Sequence, residues 1–229
     1  DIKTVHVEKG EVSAVALEPA TEQEIADTVA VMGGEDWEYW IDALLAEDLL
    51  APNAKTVAYT YIGSELTWPI YWEGTLGKAK ADLDRASGEI QQKLQRIGGD
   101  ARVAVLKAIV SQASAAIPVV PLYAALLFRV MKEQGSHEEC IEHIERLFAT
   151  QLSSGAHMRL DDSGRIRVDD LELAEAVQTE VKRRWALVDT QNLPELGDLA
   201  GFRADFLKIF GFGVEGVDYD AEVDPRRIS

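Results

Sequence analysis

Residues 56 to 80 read TVAYTYIGSELTWPIYWEGTLGKAK, and the fold turns on how this stretch is read. Lys55 to Ile62 is rich in Thr, Val and Tyr, the composition of a strand, and stops at Gly63. Past Gly74 the pattern changes period. Leu76, Ala79, Leu83, Ile90, Leu94 and Ile97 line one side of a long helix, charged residues fill the other, and Gly98-Gly99 closes it. Between strand and helix lies a turn punctuated by Pro69, Gly74 and Gly77, with Thr75 as the expected N-cap.

Downstream, residues 108 to 128 carry no charge, which is long enough to raise a membrane-spanning reading. Pro118 and Pro121 interrupt the run, and Ser111, Gln112 and Ser114 sit inside it. The pattern predicts instead a buried strand from about Val103 to Val110, a polar turn, and a helix from about Pro121 to Lys132. An apolar strand between helices marks a parallel sheet in an α/β fold.

Upstream, residues 3 to 18 alternate about Lys9-Gly10 and predict a hairpin. Thr21 with Glu24 forms a capping box for a helix carrying Ile25, Val29 and Met32, which Gly33-Gly34 ends. A second helix starts near Asp36, with Trp37, Trp40/Ile41 and Leu44 on one face. Towards the end, Ile141, Ile144, Leu147 and Phe148 predict a helix, and Asp162-Ser163-Gly164 a turn into a short strand, Arg165 to Val168. Asp169 and Glu172 read as a second box-like cap, with Leu173, Val177, Val181 and Trp185 as the stripe behind it. Pro194 is expected to open a helix running through Phe202, Phe206 and Phe210, before a glycine-punctuated tail.

The 229 residues suffice for a sizeable core, and 47% hydrophobic with 28% charged residues describes a globular chain. A formal net charge of -17 argues against nucleic-acid and anionic-membrane partners, because phosphate binding needs a cationic footprint. Cys140 is the only cysteine and, flanked by Glu138 and Glu139, is expected to be a buried structural thiol. The four histidines do not fall at metal-ligand spacing, so no metal site is expected.

The turn carries Tyr71 and, nine positions later, Lys80. Hydride reduction of a carbonyl or an activated alkene leaves negative charge on an oxygen, and a phenol beside an ammonium is suited to meet it. Nine residues rotate about half a turn on a continuous helix, so the two side chains converge only if Tyr71 lies outside it. Spacing alone is weak, since such a pair arises readily by chance, and Trp68 and Trp72 read more simply as core or rim aromatics.

Four separated blocks carry more weight: YTYIGSELTWPIYWEGTLGKAK, MGGEDWEYWIDALL, IVSQASAAIPVVPLY and GFGVEGVDYDAEVDP. In this order they resemble the trans-2-enoyl reductase family, the NADH-dependent enoyl-acyl-carrier-protein and enoyl-CoA reductases of the FabV/TER type. The resemblance implies a Rossmann-like, short-chain-dehydrogenase-related sheet flanked by helices, with extra helices. It implies reduction of trans-2-enoyl thioesters in fatty acid synthesis, with NADH as cofactor and an enoyl thioester on acyl carrier protein or coenzyme A as partner. By it Tyr71 matches the proton donor, Lys80 the lysine that contacts NAD and lowers the tyrosine pKa, and Tyr61 the tyrosine placed against the substrate. Ile109, Val110 and Ser111 match the segment lining the nicotinamide end of the cofactor.

One departure is large. No G-x-G-x-x-G follows a strand. The expectation is therefore a carboxy-terminal portion of one enoyl reductase domain, with residues 55–135 as its strand–turn–helix core and 136–229 as a helical extension and tail. The amino-terminal part of the same enzyme would be its partner, and the complete enzyme a cytoplasmic monomer. Two other readings stay open: a short-chain-dehydrogenase-like carbonyl reductase using the same Tyr and Lys, and a non-catalytic acidic helical interaction domain. The last predicts Tyr71 and Lys80 far apart on a convex surface.

Overall fold

The computed structural model describes residues 1–153, 155–222, 224 and 226. Val223 and Pro225 of the last sequence block lie outside the described residues. Strands β1 (Ile2–His6) and β2 (Glu11–Val15) pair antiparallel with Val5 opposite Val12, and Gly10, at φ +74°, makes the turn that Lys9-Gly10 predicts. Helix α1 (Glu22–Met32) starts at the Thr21/Glu24 capping box and stops at Gly33. Helix α2 (Glu35–Ala46) packs through Ile41 and the partly buried Trp37, whose indole N–H donates to Thr56 Oγ1 at 2.9 Å. Trp40 is exposed rather than part of that stripe, because Ile41, one position on, takes the inward direction.

Strand β3 (Lys55–Thr60), helix α3 (Thr75–Leu94) and strand β4 (Asp100–Val105) form a crossover unit whose two strands are parallel, from Lys55 opposite Asp100 to Thr60 opposite Val105. The buried positions of α3 are Gly77, Ala79, Leu83, Ala86, Ile90 and Leu94, one face of a helix, so the 3.6-residue stripe in the sequence is the packed face. Strand β5 (Ile166–Arg167) adds to β4 in parallel, giving the order β3-β4-β5. The architecture is therefore α/β, a parallel sheet flanked by helices. Strand β4 ends at Val105, five residues short of the expected Val110. Beyond Leu106 its backbone donors leave the ladder: the Lys107 N–H points to His143 Nε2 and the Ala108 N–H to Glu172.

The expected polar turn contains a short helix, α4 (Gln112–Ala116), because Ser111 and Ser114 cap each other's backbone. Helix α5 (Val120–Glu133) has Pro121 in its first turn and is buried along most of its length. Helix α6 (Cys140–Leu147) packs through the buried His143 and Leu147, with Ile144 partly buried against the same core. Ile141 and Phe148 are exposed, and so is Cys140, which stands at the start of the helix beyond its packed face rather than in the core. Helix α7 (Glu175–Leu187) lies on α5 through Val177 and Val181. The segment read as one helix from Pro194 is two, α8 (Leu193–Leu196) and α9 (Leu199–Lys208). Gly197 adopts an extended backbone between them, and Asp198 starts the second by accepting the Gly201 N–H. Among the described residues no helix is long and apolar enough to cross a membrane.

Candidate active site

Thr60 and Val105 end the paired strands side by side. Above them opens a cavity of about 180 Å³, bordered by Tyr61, Tyr71, Lys80, Ile109 and Ser111. Five of the six sequence-predicted site residues thus meet at one hollow, at the carboxyl ends of parallel strands. The sixth, Val110, turns the other way, into the core cluster around α5 and a neighbouring cavity of about 300 Å³ that Ile109 also borders. Successive residues of an extended segment point to opposite sides, so a run of three cannot all face one ligand.

Local geometry brings Tyr71 and Lys80 to one cavity. Residues 64 to 73 coil back on themselves, with the Thr67 N–H bonded to Ser64 O and the Tyr71 N–H to Thr67 O, both at 2.9 Å. The N-cap of α3 is Gly74 rather than Thr75, so Tyr71 lies outside the helix and Lys80 in its second turn. The Gly77 N–H donates to Tyr71 O at 3.0 Å, fastening the turn onto the helix. The approach is close enough that a Cβ on Gly77 would fall 1.7 Å from the Trp72 carbonyl oxygen. Tyr61 stands edge-on to Tyr71, ring centroids 5.1 Å apart at 81°.

Burial pushes the Tyr71 phenol above its ordinary pKa and the Lys80 ammonium below its own. The expectation that Lys80 lowers the tyrosine is therefore not met: desolvation is what shifts Tyr71, and it shifts it up. Tyr71 is a neutral, proton-bearing phenol at neutral pH. Lys80 has no ion-pair partner among the described residues, and Thr60 Oγ1 is buried at the cavity floor with no hydrogen-bond partner. An unpaired ammonium and an orphaned hydroxyl facing one hollow fit a polar ligand such as a nicotinamide ribose.

Sequence reading missed Glu172. Instead of capping a helix, it is buried and accepts from Tyr61 OH at 2.9 Å, Tyr123 OH at 2.7 Å and the Ala108 N–H. Asp169 pairs with Arg167 at 2.6 Å, and α7 begins only at Glu175. Lys107 was also missed: it is buried, with Nζ donating to Ala108 O at 3.2 Å and lying 5.2 Å from the centre of the Phe128 ring. Its place at the edge of an uncharged run was the available signal; Glu172 had none.

These elements define a Rossmann-like α/β protein with a tyrosine–lysine site at the strand ends, which is inconsistent with the convex, separated pair an interaction domain predicts. A family model described as the trans-2-enoyl-CoA reductase catalytic region matches residues 1–153, and the chain belongs to this family. It is 57% identical over 224 residues to an enoyl-[acyl-carrier-protein] reductase [NADH] of Opitutus terrae, covering 98% of this chain and 57% of the relative. It is also 57% identical to the protein of the same description from Tolumonas auensis, covering 97% and 56%. Among solved structures, a Clostridium acetobutulicum trans-2-enoyl-CoA reductase in complex with NADH superposes with a TM-score of 0.93 at 47% identity, covering 97% of this chain and 56% of that one. A Treponema denticola trans-2-enoyl-CoA reductase in complex with NAD gives 0.91 at 48%, covering 97% and 55%. The chain thus spans a little over half the length of the relatives it matches.

A second model, described as an enoyl reductase FAD-binding domain, matches residues 160–223. The residues described there do not fit a flavin dinucleotide. Its diphosphate needs free cations or a cradle of N–H groups at a helix start. Arg165, Arg167, Lys182, Arg183, Arg184 and Lys208 are all paired with carboxylates, and Arg203 is spent on the carbonyls of Val7 and Glu8. The one strand among the described residues of the segment, β5, is two residues long and leads into no glycine-rich turn.

Proposed function

We propose that this chain carries the reducing centre of an NADH-dependent trans-2-enoyl thioester reductase acting in fatty acid synthesis. The observation that supports it best is the convergence of Tyr61, Tyr71 and Lys80 on one cavity at the strand ends, in a chain of this family. When bound, NADH supplies the hydride for the β-carbon of the enoyl thioester. Lys80 and Thr60 would hold the ribose hydroxyls, and Ile109 and Ser111 would line the nicotinamide end of the site. Tyr71 donates its hydroxyl hydrogen bond to the thioester oxygen as negative charge develops there, and supports protonation at the α-carbon. Its raised pKa keeps the proton on the phenol until that charge appears. Tyr61 walls the acyl thioester from the other side, and Ile117 and Val120 supply apolar surface for the chain.

No glycine-rich turn follows a strand here, and β3 has no partner on its outer side among the described residues. We assign the dinucleotide phosphates to a part of the polypeptide not contained in these 229 residues, and read the working enzyme as a cytoplasmic monomer. The test is NADH oxidation by the full-length gene product with crotonyl-CoA, its acyl-carrier-protein thioester, and a simple ketone. Turnover of the thioesters alone is expected; turnover of the ketone alone would make it a carbonyl reductase. Tyr71→Phe should abolish turnover and leave NADH affinity within about twofold. A Tyr71→Phe enzyme keeping most of its rate ends the donor assignment.

A further inference from the structure

We propose that Glu172 is a positioning residue for this reduction: its carboxylate engages the hydroxyl proton of Tyr61, so that Tyr71 is the one phenol of the facing pair with a proton left for substrate. The inference rests on the function proposed above. Both phenols border the same cavity, edge to face, and nothing in the residue type tells donor from wall. The hydrogen bonds do. Tyr61 OH donates to Glu172 Oε1 at 2.9 Å, whereas Tyr71 OH has no partner among the described residues. Tyr123 OH reaches the same oxygen at 2.7 Å while accepting from Gln178 Nε2 at 3.0 Å, which directs its own single proton to the carboxylate.

The other oxygen, Oε2, accepts the Ala108 N–H. Three donors therefore converge on one side chain that is 1% exposed. An ionised carboxylate accepts on both oxygens with no proton of its own to place; an amide presents one acceptor and one NH₂, and a neutral acid carries an O–H that needs an acceptor. Glutamine at this position leaves either the Ala108 N–H or the two phenols facing another donor. Glu172 thus clasps two walls of the cavity, the end of β3 through Tyr61 and the segment after β4 through Ala108. It does so from within residues 160–223, and gives that segment a role in the site that does not involve a flavin.

The experiment measures kcat and KM with crotonyl-CoA, and NADH affinity by fluorescence, for full-length Glu172→Gln, Tyr61→Phe and the double variant. Each single variant is expected to lose at least about tenfold in kcat, with NADH affinity within about twofold. Because Glu172 acts through Tyr61, the double variant should be no more than about twofold worse than the poorer single one. Where Glu172→Gln does not unfold cooperatively, Glu172→Asp, which keeps the charge but withdraws it by one methylene, is measured in its place with the same expectation. A folded variant with kcat within twofold of the unmodified enzyme overturns the inference, and so do single losses that multiply in the double. If the unmodified protein turns over no enoyl thioester, the proposed function fails and this inference with it. Turnover that needs Tyr71 and ignores Glu172 removes the inference alone.

Discussion

Replacing Gly77 by Ala forces the turn that carries Tyr71 away from the helix that carries Lys80. The added Cβ falls 1.7 Å from the Trp72 carbonyl oxygen and 2.6 Å from its carbonyl carbon, where ordinary contact begins at 3.4 Å. Both obstacles are main chain, so no side chain can swing aside, and the backbone must part by about 1.7 Å. That displacement also strains the Gly77 N–H bond to Tyr71 O. Overpacking of this kind costs about 1–3 kcal/mol, and a misplacement of about 1 Å in a reacting group costs about 100-fold in rate. Gly77→Ala should therefore lower kcat with crotonyl-CoA by about 100-fold and weaken the fold by about 1–3 kcal/mol in urea unfolding. Gly88, on the same helix, is the control, since a methyl there meets nothing within 4 Å. Gly88→Ala should leave kcat within about twofold and raise stability by about 0.5–1 kcal/mol through helix propensity. A Gly77→Ala protein with unmodified kcat and stability would refute the seating of Tyr71 on the first turn of α3.

Two further substitutions separate what the site does from what it costs the fold. Burial holds Lys80 below its ordinary pKa of 10.5, so the unfolded chain binds that proton more tightly and the residue's contribution to stability rises with pH up to about that value. Lys80→Met should be more stable at neutral pH by about 1 kcal/mol, lose that advantage as the pH approaches 10.5, and bind NADH poorly; equal urea midpoints at neutral pH would contradict it. Thr60→Val removes a buried hydroxyl that has no partner. It should gain about 1 kcal/mol in thermal unfolding while raising KM for NADH severalfold, and a KM that does not move would remove Thr60 from the ribose site.

Much of this molecule is written locally. The periodicity of α3, the Thr21/Glu24 box, the Lys9-Gly10 hairpin and the uncharged run of α5 each depend on residues a few positions apart, and the structure follows them. That Tyr71 and Lys80 border one cavity is legible in the same way, because Gly74 and Gly77 are the residues that let a turn fold back on a helix. Boundaries set by distant partners are not legible: β4 stops early because His143 and Glu172 draw its amides out of the ladder. Cys140 is exposed because α6 turns His143, Ile144 and Leu147 to the core and leaves its first residue outside that face. Glu172 is the clearest case. Its neighbours Asp169 and Leu173 make it read as a cap, and a carboxylate shows its purpose only when the chain folds. Residues 64, 49 and 111 positions away in sequence then bring their donors to it. Sequence alone determines which backbone conformations are cheap and which faces are apolar. Which buried donors a charged group must satisfy is decided in three dimensions, because desolvation and hydrogen bonding depend on who is near, not on who is next.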